Sequence, residues 1–129
     1  MSRKKSREYV FRLLFEKFFH ESDEYFDILS EDIVLDDTDK GFANILIGGI
    51  NEKYEDIIKI IKDNLVGYEI ERVYKVDLSI LILAVYELMF AKEKVDSSII
   101  INEAVELSKK YSTDKSYSFI NGVLAKVIK

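Results

Sequence analysis

The stretch from Leu78 to Ala91, LSILILAVYELMFA, contains 14 residues and one charged side chain, Glu87. It is too short to span a bilayer, which takes about 20 apolar residues in a helix. It reads instead as a helix buried in a core, and the rest of the chain must supply what surrounds it. The apolar spacing elsewhere is helical. Val10, Leu13, Leu14 and Phe18 fall at i, i+3, i+4 and i+8, with Phe11 and Phe15 widening the stripe. A second short helix is expected over 23–35. A third is expected from about 40 to 65, with Phe42, Ile45, Leu46, Gly49, Tyr54, Ile57, Ile58 and Ile61 facing inward. The DDTD run at 36–39 supplies N-cap oxygens for it.

Gly48-Gly49 inside the third helix costs about 1 kcal/mol per residue relative to alanine, which points to a close helix–helix approach. Gly67 suits the end of that helix, and a short helix is expected around 70–74. Asp77 sits at the start of the apolar helix, where an acid complements the dipole. Further helices are expected from Ser97-Ser98 through Tyr111 and from Thr113–Ser116 onward. The last carries Phe119, Ile120, Val123, Leu124 and Val127 inward. No alternating strand pattern competes, and the 129 residues contain no proline and five glycines. The fold class is all-α, with about seven helices.

These residues also exclude chemistry. With no cysteine and one histidine, His20, neither a zinc site nor a histidine-based triad is expected. A calcium loop starting at Asp32 would place Asp37 and Ala43 where glycine and glutamate are needed. No phosphate-binding glycine motif is present. The chain is expected to be neither an enzyme nor a cofactor or metal carrier. Its N-terminus has no apolar signal segment, so a soluble, cytoplasmic protein is expected.

The net charge of −5 is unevenly spread. Residues 1–20 carry six Lys or Arg against two acids, whereas residues 21–40 carry nine acids and only Lys40. Arg3, Lys4, Lys5 and Arg7 therefore form a basic arm, read either as a solubilising terminus or as a set of phosphate contacts for nucleic acid.

INEAVELSKKY (101–111) followed by SYSFINGVLAKV (116–127) resembles the C-terminal signature of the NusB family of bacterial transcription antitermination factors. VDLSILILAVYELMF (76–90) resembles the family's A-x-Y-E-L segment through Ala84, Tyr86, Glu87 and Leu88. SREYVFRLLFE (6–16) resembles its opening phrase through Arg7, Glu8, Leu14 and Phe15. The resemblance covers the whole chain as one domain and implies two small packed helical bundles, about 1–66 and 67–129.

It also implies binding of boxA-type single-stranded RNA from ribosomal RNA leaders, together with the ribosomal protein NusE, in the RNA polymerase antitermination complex. No membrane partner is implied. Arg3, Lys4, Lys5 and Arg7 would contact RNA phosphates, and Phe119 matches an aromatic position implicated in RNA contact. Phe15 and Asp77 match positions at the NusE interface. Glu87 and Glu103 are expected in ion pairs or caps, Asn102 and Asn121 as satisfied hydrogen-bonding groups, and Ala104 and Gly122 at close helix contacts. Where the family commonly has tyrosine, arginine and proline, this chain has Phe15, Ile82 and Asp96. The alternative reading is a non-catalytic helical interaction module without an RNA role. NusB-like domains also occur fused to RNA cytosine methyltransferases, but in a chain of 129 residues no methyl-donor domain is expected.

Overall fold

The computed structural model describes residues 3–18, 33–67 and 69–129. Among them are five α-helices: α1 (Lys4–Lys17), α2 (Asp37–Asp63), α3 (Lys75–Met89), α4 (Ser97–Tyr111) and α5 (Ser116–Val127). There is no strand among the described residues, so the all-α expectation holds. The count of about seven does not. The helix expected around 70–74 is a single 3-10 turn, Ile70–Arg72. The helix expected over 23–35 lies outside the described residues except for 33–35, which are not helical.

The apolar stretch is the axis of the molecule. Every residue from Asp77 to Glu87 in α3 is buried, and α1, α2, α4 and α5 all pack against it. A helix apolar on all sides has no solvent face to keep, so four neighbours is the arrangement that removes it fully from water. Ile82, where the resemblance implies an arginine, is fully buried in this core.

α2 starts where the aspartates predict. Asp36 Oδ1 accepts from the Asp39 backbone N–H at 2.8 Å, and Asp39 Oδ2 accepts from the Asp36 N–H at 3.2 Å, a reciprocal capping box. Ser6 Oγ donates to the Asp39 carbonyl at 3.0 Å, which ties α1 to this start. The inward face of α2 is Ala43, Leu46, Ile50, Ile57 and Ile61. Ile45 and Tyr54, expected inward, are 67% and 38% exposed. They sit to one side of the stripe that Leu46, Ile50 and Ile57 define.

The two adjacent glycines of α2 differ. A Cβ on Gly49 would lie 2.0 Å from the Tyr86 hydroxyl oxygen and 2.3 Å from Cζ, so this is the close approach between α2 and α3. Gly48 is exposed and a Cβ there would meet nothing within 4 Å. Opposite signs are therefore expected. Gly49→Ala should lose about 1–2 kcal/mol, because overpacking at a buried tyrosine exceeds the helix-propensity gain. Gly48→Ala should gain about 0.5–1 kcal/mol. Urea melts of the two variants check this, and two stabilising results would mean that Tyr86 swings aside freely. Gly122 is exposed with an open Cβ position, so it mediates no close contact, whereas Ala104 is buried. Gly67 follows α2 with φ +90°, a conformation that glycine adopts without strain.

Candidate nucleic-acid interface

α1 runs antiparallel to α3: Arg7 meets Glu87 near one end, and Lys75 Nζ lies 5.2 Å from the Phe18 ring at the other. The four arm cations separate accordingly. Lys4 and Lys5 are exposed on the first turn of α1. Arg3, the residue preceding α1, is half-exposed. Its guanidinium sits 4.1 Å from the centre of the Phe42 ring and pairs with Glu93 at 3.1 Å.

Arg7 departs from its reading as part of a solvent-facing basic arm. It is 6% exposed, and its Nε donates to Glu87 Oε1 at 2.8 Å while Nη2 donates to Oε2 at 2.9 Å. Arg7, Val10, Phe11 and Leu14 share one helical stripe at i, i+3, i+4 and i+7, so the arginine is carried inward with the apolar residues. Arg3, Arg7, Phe42, Glu93, Ile99 and Glu103 all line one open groove of about 580 Å³.

The other end of α3 holds a second depression. A cleft of about 260 Å³ opens between the 3-10 turn and the start of α5, lined by Arg72, Tyr74, Asp77, Lys115, Ser116 and Phe119. Asp77 is 4% exposed at its floor. Ser112 Oγ donates to Asp77 Oδ1 at 2.6 Å and Ser116 Oγ to Oδ2 at 3.0 Å. Each hydroxyl has one proton, so Thr113 Oγ1, 2.9 Å from Ser116 Oγ, is the donor in that pair. Asp77 is thus a buried acceptor that fastens the junction between α4 and α5 to α3. Phe119 is half-buried, as is Phe15, which stacks on Phe11 with ring centres 6.3 Å apart.

Asp77 and Phe119, expected at different interfaces, therefore line one cleft. The arm does not join them: Asp77 and Glu87 are ten residues apart on α3, about 15 Å along its axis.

A cluster that periodicity does not reveal joins α1 to α4. Tyr111 donates its hydroxyl to Glu8 Oε2, Lys110 Nζ reaches the same oxygen at 2.6 Å, and Arg12 Nη2 donates to the Tyr111 oxygen at 2.6 Å. Burial alone would raise the Glu8 pKa. The hydrogen bonds from Lys110 and Tyr111, with the positive charges of Lys110 and Arg12, outweigh it and hold the carboxyl below its ordinary value. Burial, then the bond to Glu8, raises the Tyr111 pKa. A depressed carboxyl contributes stability above its unfolded pKa and loses it as pH falls through the folded one. Glu8→Gln should therefore lower stability at pH 7, where the carboxylate's contribution is fully present, and flatten the acid side of the profile below about pH 4.3, where that contribution is lost in the parent as well. Melting curves from pH 2 to 7 test this, and an unchanged acid limb would show that the cluster carries no linked proton.

Asn102 and Asn121 are exposed and take no part in these networks, and Glu87 has the ion pair expected of it. Among the described residues no group of three His, Cys, Asp or Glu is placed to hold a metal ion. No helix among them is long and apolar enough to cross a membrane. His20 lies outside the described residues.

The model of the NusB family matches residues 4–129. The chain belongs to the NusB family. It is 40% identical over its full length to the transcription antitermination protein NusB of Clostridium novyi, covering 99% of that protein. It is 44% identical to that of Lachnoclostridium phytofermentans, with 99% of each chain covered. Among solved structures, T. maritima NusB superposes with a TM-score of 0.84 at 34% identity, covering 99% of this chain and 91% of that one. A structure of the antitermination factors NusB and NusE in complex with dsRNA superposes with a TM-score of 0.83 at 28% identity, covering 98% and 95%. Membership in the NusB family makes this a non-catalytic factor.

Proposed function

We propose that this chain acts in the cytoplasm as a transcription antitermination factor. It binds boxA-type single-stranded RNA of ribosomal RNA leaders together with NusE and supports RNA polymerase read-through. The observation that carries this reading is the match to NusB along the whole chain, with relatives named as transcription antitermination proteins and a similar structure that holds NusE and RNA. In this reading the halves 1–66 and 67–129 are the two sub-bundles. Arg3, Lys4 and Lys5 contact phosphates, Arg7 anchors the helix that bears them, and Phe119 meets a base. Phe15 and the Asp77 junction belong to the NusE side.

Filter binding with boxA-like and scrambled RNA, with NusE present and absent, tests it. Three arm contacts give a slope of log affinity against log salt of about −2, at roughly −0.7 per contact for a single strand. Changing Lys4 and Lys5 together to alanine should flatten that slope by about 1.4. Binding of neither RNA under both conditions would leave a plain interaction module, and equal binding of the two would remove the boxA preference.

A further inference from the structure

Two helices begin side by side at the cleft above Asp77, and neither begins with a capping residue. The position before α3 is Tyr74 and the one before α5 is Lys115, and neither makes a side-chain cap hydrogen bond. Such positions favour Ser, Thr, Asp or Asn, whose oxygens satisfy the free N–H groups of the first turn. Here both are filled by long side chains that line the same cleft.

Tyr74 is 64% exposed, a large ring left in water. Arg72 and Lys115, also exposed, have no ion-pair partner among the described residues. Beneath them the Asp77 carboxylate is covered by the serine hydroxyls that donate to it, so the floor does not present bare negative charge to a ligand.

We infer that this cleft is a one-nucleotide clamp for single-stranded RNA. Tyr74 and Phe119 form its aromatic walls, and Arg72 and Lys115 hold the phosphates on either side. The inference rests on the RNA-binding reading above and extends it to three residues, Arg72, Tyr74 and Lys115. The volume of about 260 Å³ is below the range of roughly 300–1,000 Å³ typical of pockets for drug-sized ligands, and it suits a single base. Glu69, Glu71 and Asp114 flank the two cations in sequence, so the cleft has no strong general field for polyanions. Recognition depends instead on an unstacked base between rings, which a duplex does not offer.

The test is an abasic scan of a boxA-like RNA, measured with NusE present and absent, using the unaltered chain and Tyr74→Ala. With the unaltered chain, removing the base at one particular position weakens binding about 5- to 100-fold. Tyr74→Ala weakens the intact RNA by a similar factor, and removal at that position then costs nothing more. Tyr74→Phe keeps the ring and the affinity. Arg72→Gln combined with Lys115→Gln flattens the salt slope by about 1.4.

If the unaltered chain binds and Tyr74→Ala binds equally well, the clamp is overturned while RNA binding stands. If Tyr74→Ala instead weakens capture of NusE with RNA affinity unchanged, the clamp is overturned in favour of a protein surface. If the unaltered chain binds no RNA under either condition, the RNA reading and the clamp fall together.

Discussion

Arg7→Ala should destabilise the protein by about 3–5 kcal/mol and leave the salt dependence of RNA binding unchanged. The alanine strands Glu87, 5% exposed, as an uncompensated charge among Ile80, Leu83 and Ala84 of its own helix. Breaking a buried pair from one side costs that much because the remaining ion cannot recover its hydration. For a domain of this size the loss corresponds to a fall in Tm of roughly 10–20 °C. Glu87→Ala should cost a similar amount. The double change Arg7→Met with Glu87→Leu should recover most of it, since the desolvation penalty of both ions disappears. Calorimetry of the three variants, with salt-dependent RNA binding of the first, tests the assignment. If Arg7→Ala melts like the parent and flattens the slope by about 0.7, Arg7 is a phosphate ligand after all.

Asp77→Ala should cost about 3 kcal/mol. Two serine hydroxyls lose a charged acceptor, and hydrogen bonds to charged groups contribute about 1.5–3 kcal/mol each without adding fully. Asp77→Asn keeps the shape and one acceptor oxygen, and should cost about 1 kcal/mol. A reversal to lysine would place an unpaired cation at a 4% exposed site, far costlier than the roughly 0.3–1 kcal/mol of a lost helix-dipole contact. Asp77→Asn is therefore the clean probe of the NusE side. Thermal melts with NusE titrations separate the outcomes. A tenfold loss of NusE affinity with an almost unchanged melt places the carboxylate at the interface, and loss in step with stability makes it a structural fastener. Because Phe119 lines the same cleft, RNA affinity should follow the integrity of this junction.

The apolar pattern made α3, α4, α5 and the start of α2 legible, because burial and capping are local consequences of spacing and residue type. What it hid were partners far along the chain. Arg7 sits in a run of cations and reads as part of an arm, although its place on the stripe with Val10, Phe11 and Leu14 was visible. Glu87 inside 14 otherwise uncharged residues was the complementary signal, since a carboxylate there needs a cation. Asp77 looked like a dipole residue because its serines lie 35 and 39 positions later. Gly48 and Gly49 looked alike, and only the direction of Tyr86 distinguishes them. Tyr74 and Lys115 gave no signal in an apolar-period reading, because neither belongs to a stripe.

The partner of Arg7 is 80 residues downstream, and Tyr111 lies 103 residues after Glu8. During synthesis at about 5–20 residues per second, Arg7 is made roughly 4–16 seconds before Glu87, and Glu8 precedes Tyr111 by longer still. Throughout that interval Val10, Phe11, Leu13 and Leu14 have no α3 to lie against, and a buried-type cation waits in water beside them. The first helix made is thus among the last to settle. A ribosome-stalled chain ending before residue 87 should present α1 as a protease-sensitive, chaperone-accessible segment, and one extended beyond the ribosomal tunnel past Tyr111 should protect it.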